Sequence, residues 1–120
     1  MKKRLLLIED DRWLADSYRQ LLKSYEIDVA ADGQHAMDLI DDHRYDLIIA
    51  DVMLEQGVVI DLLHELQSYA DTMNLKVILC TAIAERFALA DMRAYGVVAV
   101  LDKKTLMPEL LRETVEEQLS

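Results

Sequence analysis

A chain of 120 residues, 52% apolar and 30% charged, is long enough for one compact domain that folds without disulfides, and too apolar for a disordered one. Its formal charge of −10 argues against direct nucleic-acid binding, because that affinity rests largely on Lys and Arg contacts to phosphates. The longest apolar runs, such as Leu5–Ile8 and Val97–Leu101, fall far short of the roughly 20 residues of a membrane-spanning helix.

The start, Met1-Lys2-Lys3-Arg4, is basic, but the apolar run behind it stops at Glu9. That is shorter than the ~7–15 residues of a signal-peptide core, so a cytoplasmic location is expected. Arg4–Glu9 predicts a first strand. Leu14, Tyr18, Leu21, Leu22 and Tyr25 then recur on one face of a helix. Ile27–Ala31 predicts a second strand closed by Asp32-Gly33, and Asp46–Asp51 a third. Val59, Leu62, Leu63, Leu66 and Ala70 line one face of the helix after it. Lys76–Cys80 predicts the fourth strand, in which Cys80, the single cysteine, reads as a small core residue. Gly96 stands where a helix end calls for positive φ, and Val97–Asp102 predicts the fifth strand. Thr105 is the expected cap of the last helix, with Pro108 in its first turn, where a missing N–H costs little. Leu110, Leu111, Val115 and Leu119 are expected on its buried face.

Five strand–helix units in series imply an α/β fold with a parallel central sheet. The first, third and fourth strands are apolar on both faces, as a sheet covered by helices on each side requires. Ligands of such sheets bind beyond the carboxyl ends of the strands. Those ends carry Glu9-Asp10-Asp11, Asp51, Thr81 and Asp102-Lys103-Lys104. Glu9, Asp10 and Asp51 together repel one another unless a divalent cation (Mg²⁺, or Mn²⁺) and a lysine offset them. Mg²⁺ with a few carboxylate oxygens, a lysine and a hydroxyl is chemistry for phosphoryl transfer, with a carboxylate as acceptor. Singly, each residue has a plainer reading: Asp11 favours the next helix N-terminus, Thr81 ends a strand, and Lys103 and Lys104 are surface charge. Their joint placement on separate strand ends carries the inference.

In these residues the sequence resembles the receiver domains of two-component response regulators. Leu5-Leu6-Leu7-Ile8-Glu9-Asp10-Asp11 looks like their first strand and acidic pair, and Asp46-Leu47-Ile48-Ile49-Ala50-Asp51-Val52-Met53-Leu54 like their phosphoacceptor strand. Val77-Ile78-Leu79-Cys80-Thr81-Ala82 is similar to the strand with the switch hydroxyl, and Lys103 matches the family lysine seven residues after Gly96. The resemblance covers nearly the whole chain. It implies a doubly wound (βα)5 fold, flavodoxin-like, with parallel strand order 2-1-3-4-5 and residues 1–120 forming one receiver domain. It implies that Asp51 accepts a phosphoryl group from a sensor histidine kinase or histidine phosphotransfer protein, and that the chain catalyses only its own phosphorylation and dephosphorylation. Asp10 and Asp51 would ligate Mg²⁺, with Glu9 direct or through water and the Met53 carbonyl as a further ligand. Lys103 would contact one phosphoryl oxygen and the Thr81 hydroxyl another, and the switch would regulate a partner or an output domain.

The chain departs from the family in four features. Lys104 stands where a proline usually follows the lysine through a cis bond. A non-proline cis bond costs about 2.5–4 kcal/mol, so this one is either trans in a reshaped loop or cis and strained. Glu55-Gln56-Gly57-Val58-Val59 replaces a Pro-Gly segment, and Val100 replaces the switch aromatic. Met53 and Ile83, two residues after Asp51 and Thr81, are apolar and expected to shield an acyl phosphate from water. Val97, Val98 and Val100, with Phe87 and Met92, form either core or an apolar patch for a homodimer through the fourth helix, fifth strand and fifth helix. Two other functions compete: a receiver-like protein-interaction module without phosphate switching, and an enzyme hydrolysing phosphate esters through an aspartyl phosphate. The enzyme reading is disfavoured, because no second acid stands at Met53 and there is neither a Gly-rich phosphate loop nor a serine elbow. His35, His43 and His64 show no metal-ligand spacing, and Trp13 opens the first helix close to the acids.

Overall fold

The computed structural model describes residues 2–51, 58–70 and 72–120. Its elements are β1 (Arg4–Ile8), α1 (Arg12–Leu21), β2 (Glu26–Ala30), α2 (Gly33–Asp42), β3 (Leu47–Ala50) and α3 (Val58–Gln67), then β4 (Lys76–Thr81), α4 (Leu89–Met92), β5 (Val97–Asp102) and α5 (Pro108–Leu119). Short 3₁₀ turns over Ala84–Arg86 and Arg93–Tyr95 flank α4. The strands form one parallel sheet in the order β2-β1-β3-β4-β5, as expected for the doubly wound fold.

Alternation along the strands sends side chains to two separate cores. Leu6, Ile8, Ile48, Ala50, Val77 and Leu79 face Ala36 of α2, Leu62, Leu63 and Leu66 of α3, and Met92 of α4. Leu5, Leu7, Leu47, Ile49, Ile78 and Cys80 face Ala15 and Tyr18 of α1 and Leu111 and Val115 of α5. Each fully buried leucine or isoleucine contributes roughly 1.5–3 kcal/mol, which explains why three strands carry no polar residue between their ends.

Local chemistry moved several boundaries. Asp32 does more than close β2: its Oδ1 accepts the His35 N–H at 2.8 Å and caps α2. Thr105 is not the cap of α5. Pro108 occupies the first helical position, so Met107 becomes the cap, with no side-chain bond, while the Thr105 N–H donates to the Asp102 carbonyl in the preceding turn. The same start puts Leu111, Val115 and Leu119 on the buried face at four-residue steps and leaves Leu110 exposed. Ala70 is also exposed, because α3 ends at Gln67. Gly96 has φ of +84°, and a Cβ there would lie 2.7 Å from the Leu75 carbonyl oxygen. Only glycine meets both demands.

For the apolar cluster around β5, burial favours the core reading. Val97 and Met92 are core residues, and Phe87 and Val100 pack half-buried against them, whereas Val98 belongs to the core on the other side of the sheet. No helix among the described residues is long and apolar enough to cross a membrane.

Candidate functional site

Backbone bonds fix the strand ends before any side chain acts. The Glu9 N–H donates to the Ala30 carbonyl (2.9 Å), the Asp51 N–H to the Ile8 carbonyl (3.2 Å), and the Lys103 N–H to the Thr81 carbonyl (2.9 Å). Each continues a ladder one step past its strand. Glu9, Asp51, Thr81 and Lys103 are therefore delivered to one rim by the sheet itself, as their sequence positions predicted.

The side chains meet there. Lys103 Nζ donates to Asp51 Oδ2 at 2.5 Å and to Glu9 Oε1 at 2.7 Å, and Glu9 Oε2 accepts the Asp11 N–H at 3.1 Å. Glu9 is 3% and Asp51 5% exposed, so this is a buried ion triad rather than a surface pair. Asp11 plays the structural part expected of it: its Oδ1 accepts the N–H groups of Trp13 and Leu14 and caps α1. Asp10 is exposed on the same rim. Thr81 is completely buried, and its Oγ1 accepts the Ile83 N–H at 3.3 Å.

Lys104 does not join the cluster. The Lys103–Lys104 peptide is trans, Lys104 is exposed, and its N–H donates to Asp102 Oδ1 at 2.9 Å. Met53 and the rest of the 52–57 segment lie outside the described residues.

Burial and pairing compete at the triad. For Glu9, burial dominates and raises its pKa above the usual carboxylate value, against the Lys103 and Asp11 hydrogen bonds. For Lys103, burial opposes the ammonium, but hydrogen bonds to Asp51 and Glu9, followed by their charges, raise its pKa. The two shifts differ in what they favour because burial outweighs the pairing at Glu9, whereas Lys103 gains two carboxylate partners and pairing wins.

Glu9, Asp10 and Asp51 against Lys103 leave a formal excess of two negative charges, which one divalent cation would match. Among the described residues no three His, Cys, Asp or Glu side chains form a ready metal cage. Mg²⁺ needs none: it takes one or two carboxylates and completes its shell with waters and phosphate oxygens. The hard oxygen donors of this rim fit that ion.

One contact beneath the rim had no signal in the sequence. The Tyr18 hydroxyl and Cys80 Sγ lie 3.3 Å apart in a hydrogen bond between α1 and β4, inside the core. Helical periodicity places Tyr18 inward, but nothing in it names Cys80 as the partner. Burial, together with that bond, raises the pKa of Tyr18 strongly, and burial raises that of the Cys80 thiol.

Comparison with known proteins bears on this geometry. The sequence pattern of the response regulator receiver domain matches residues 5–116. Response regulator MprA of Mycobacterium sp. (strain KMS) is 32% identical over 114 residues, which are 92% of this chain and 48% of that protein. The chain thus spans about half the length of the curated relatives it matches. Among solved structures, the chemotaxis response regulator CheY4 of Vibrio cholerae superposes with a TM-score of 0.85 at 21% identity, covering 98% of this chain and 99% of that one. The response regulator TrrA of Thermotoga maritima, solved in complex with Mg²⁺-BeF, gives 0.81 at 24% identity, covering 97% and 98%. At these identities the two structures speak for the fold alone.

Proposed function

The chain belongs to the response regulator receiver domain family of two-component systems, and on that premise we propose that Asp51 is its phosphoryl acceptor. The observation that carries the reading is the Lys103 ammonium held between Asp51 Oδ2 and Glu9 Oε1. A lysine so placed has only to exchange a carboxylate oxygen for a phosphoryl oxygen as charge moves onto Asp51.

The donor is a phosphohistidine of a sensor histidine kinase or histidine phosphotransfer protein. An Asp51 carboxylate oxygen attacks the phosphorus, the P–N bond to the imidazole breaks, and the leaving nitrogen takes a proton. The product is an acyl phosphate. Lys103 holds one of its phosphoryl oxygens, and the Thr81 hydroxyl donates to another. Glu9, Asp10 and Asp51 are the residues that would hold Mg²⁺, with the Met53 carbonyl as the further ligand proposed from sequence. Bound there, the ion neutralises charge on the phosphoryl group and its acceptor. Hydrolysis of the acyl phosphate resets the domain, so the chain turns over only its own modification. Residues 1–120 act as one receiver unit in the cytoplasm. The unit governs a partner or an output domain, and a second copy docking through α4, β5 and α5 is one candidate partner.

The competing reading is a receiver-like interaction module without phosphate switching. It draws on Val100 and Lys104, which replace the family's switch aromatic and proline. Incubation with acetyl phosphate and Mg²⁺, followed by mass mapping, separates the two. A phosphoryl mass on the peptide containing Asp51, absent in Asp51→Asn, supports the receiver. An unmodified wild-type chain supports the module.

A further inference from the structure

Lys103 stands just past the end of β5, and its use at the rim depends on how firmly that end is held. A lysine ammonium rides on a flexible four-carbon stem, so its position is defined only as well as the backbone that carries it. Here Nζ lies 2.5 Å from Asp51 Oδ2 and 2.7 Å from Glu9 Oε1, on a side chain that is one-fifth exposed.

On its N-terminal side Lys103 is tied to the sheet, through its own N–H and the Thr81 carbonyl (2.9 Å). Asp102, the residue before it, is paired with Thr81 in the register of β4 and β5. On the C-terminal side the next helix gives no help, since α5 starts at Pro108 without a side-chain cap. Asp102 supplies the bonds there. Its Oδ1 accepts the Lys104 N–H at 2.9 Å, and its carbonyl accepts the Thr105 N–H at 3.2 Å. The first is an Asx turn, in which an aspartate side chain takes the place of a backbone carbonyl. Lys103 is the residue that this turn encloses. Its backbone therefore has a fixed point on each side, Thr81 before it and the Asp102 carboxylate after it.

Two lysines adjoin at this place, and one of them faces the carboxylates. Lys104 is exposed and meets Asp102 through its backbone N–H. Without that closure, two neighbouring ammonium groups would compete for Asp51 and Glu9.

We propose that Asp102 is a positioning residue for phosphoryl transfer: by closing the turn on the Lys104 N–H, its carboxylate holds the Lys103 ammonium on Asp51 and keeps Lys104 out of the rim. This rests on the reading that Asp51 takes up the phosphoryl group. Asp102 acts through Lys103 and not on the phosphoryl group. The lysine has to be in place as charge moves onto the acceptor, and a displacement of about 1 Å can cost about a hundredfold in rate.

The test compares the 120-residue wild-type chain with Asp102→Ala and Asp102→Asn, using acetyl phosphate and Mg²⁺. One readout is the initial rate of phosphoryl uptake on Asp51. The other is NMR of the Lys103 ε-methylene protons, which are distinct when the side chain is held and merge when it rotates freely. Asp102→Ala removes the side-chain acceptor of the turn, and is expected to slow uptake about tenfold and to merge the two signals. Asparagine keeps an oxygen acceptor without the charge, so Asp102→Asn is expected to behave as the wild type in both. Either readout unchanged in Asp102→Ala overturns the proposal. So does an Asp102→Asn chain that behaves like Asp102→Ala, since charge and not the turn would then be at work. A wild-type chain that takes up no phosphoryl group refutes the acceptor reading itself, and the positioning role falls with it.

Discussion

Lys103 Nζ lies 2.5 Å from Asp51 Oδ2, across the end of the sheet from β5 to β3. Since Glu9 shares the same ammonium, removing Lys103 would leave two acids buried against each other. Lys103→Met is expected to lower stability by about 2 kcal/mol. That is less than the ~3–5 kcal/mol typical of a broken, fully enclosed pair, because the lysine side chain is one-fifth exposed. Asp51→Asn relieves the same repulsion and should be neutral or stabilising. Urea denaturation of the three proteins checks this, and equal midpoints for Lys103→Met and wild type would refute it.

Ile83 presents an apolar, half-buried side chain two residues beyond Thr81. An acyl phosphate on Asp51 would be shielded from water on that side. Ile83→Glu should shorten the phosphoryl lifetime several-fold by bringing a polar, hydrated group to the rim. Loss of radiolabelled phosphate after removal of the donor measures it, and an unchanged or longer lifetime would contradict the shielding.

Alkaline unfolding should be steep. Burial raises Tyr18 and Tyr45 above the ordinary tyrosine value, each with help from a hydrogen bond, to Cys80 and Asp28 respectively. An acid whose folded pKa is raised holds its proton in the native state while the unfolded chain releases it. Its stabilising effect is full below about pH 10 and declines above it, by about 1.4 kcal/mol per pH unit and tyrosine. Tyr45→Phe should flatten the decline, at the cost of leaving Asp28 with Arg4 alone. Denaturant melts between neutral pH and pH 11 would show it, and parallel curves for mutant and wild type would disprove it.

Gly96→Ala should destabilise by more than 1 kcal/mol. The added methyl would meet the Leu75 carbonyl at 2.7 Å and hold a left-handed backbone that alanine avoids. Thermal denaturation provides the measurement, with an unchanged midpoint as the contrary result.

The strands and the rim were legible because both are written in local pattern. Apolar runs bounded by Glu9, Asp51, Thr81 and Asp102 fix where each strand stops, and the rim consists of what comes next. The parallel order needed the resemblance as well, since periodicity alone does not say which strands are neighbours. Pattern failed where a single residue's backbone requirement overrode it. Pro108 set the start of α5, disqualified Thr105 as cap and turned Leu110 outward. It also could not separate core from surface among Val97, Val98, Val100, Phe87 and Met92, because an edge strand and a four-residue helix leave too few positions to define a face. Lys104 is a related case: the cost of a cis form follows from the sequence, but the trans turn closed on Asp102 does not.

The ladder bonds that run one residue past β1, β3 and β5 have a consequence for timing. The amides of Glu9, Asp51 and Lys103 are bonded into the ladders of the sheet, so their deuterium uptake should follow that of the strands and report their opening. The short turns from Ala84 to Tyr95 should take up label orders of magnitude sooner. One small domain would then carry both a stiff clamp and a compliant arm, with Thr81 at the junction.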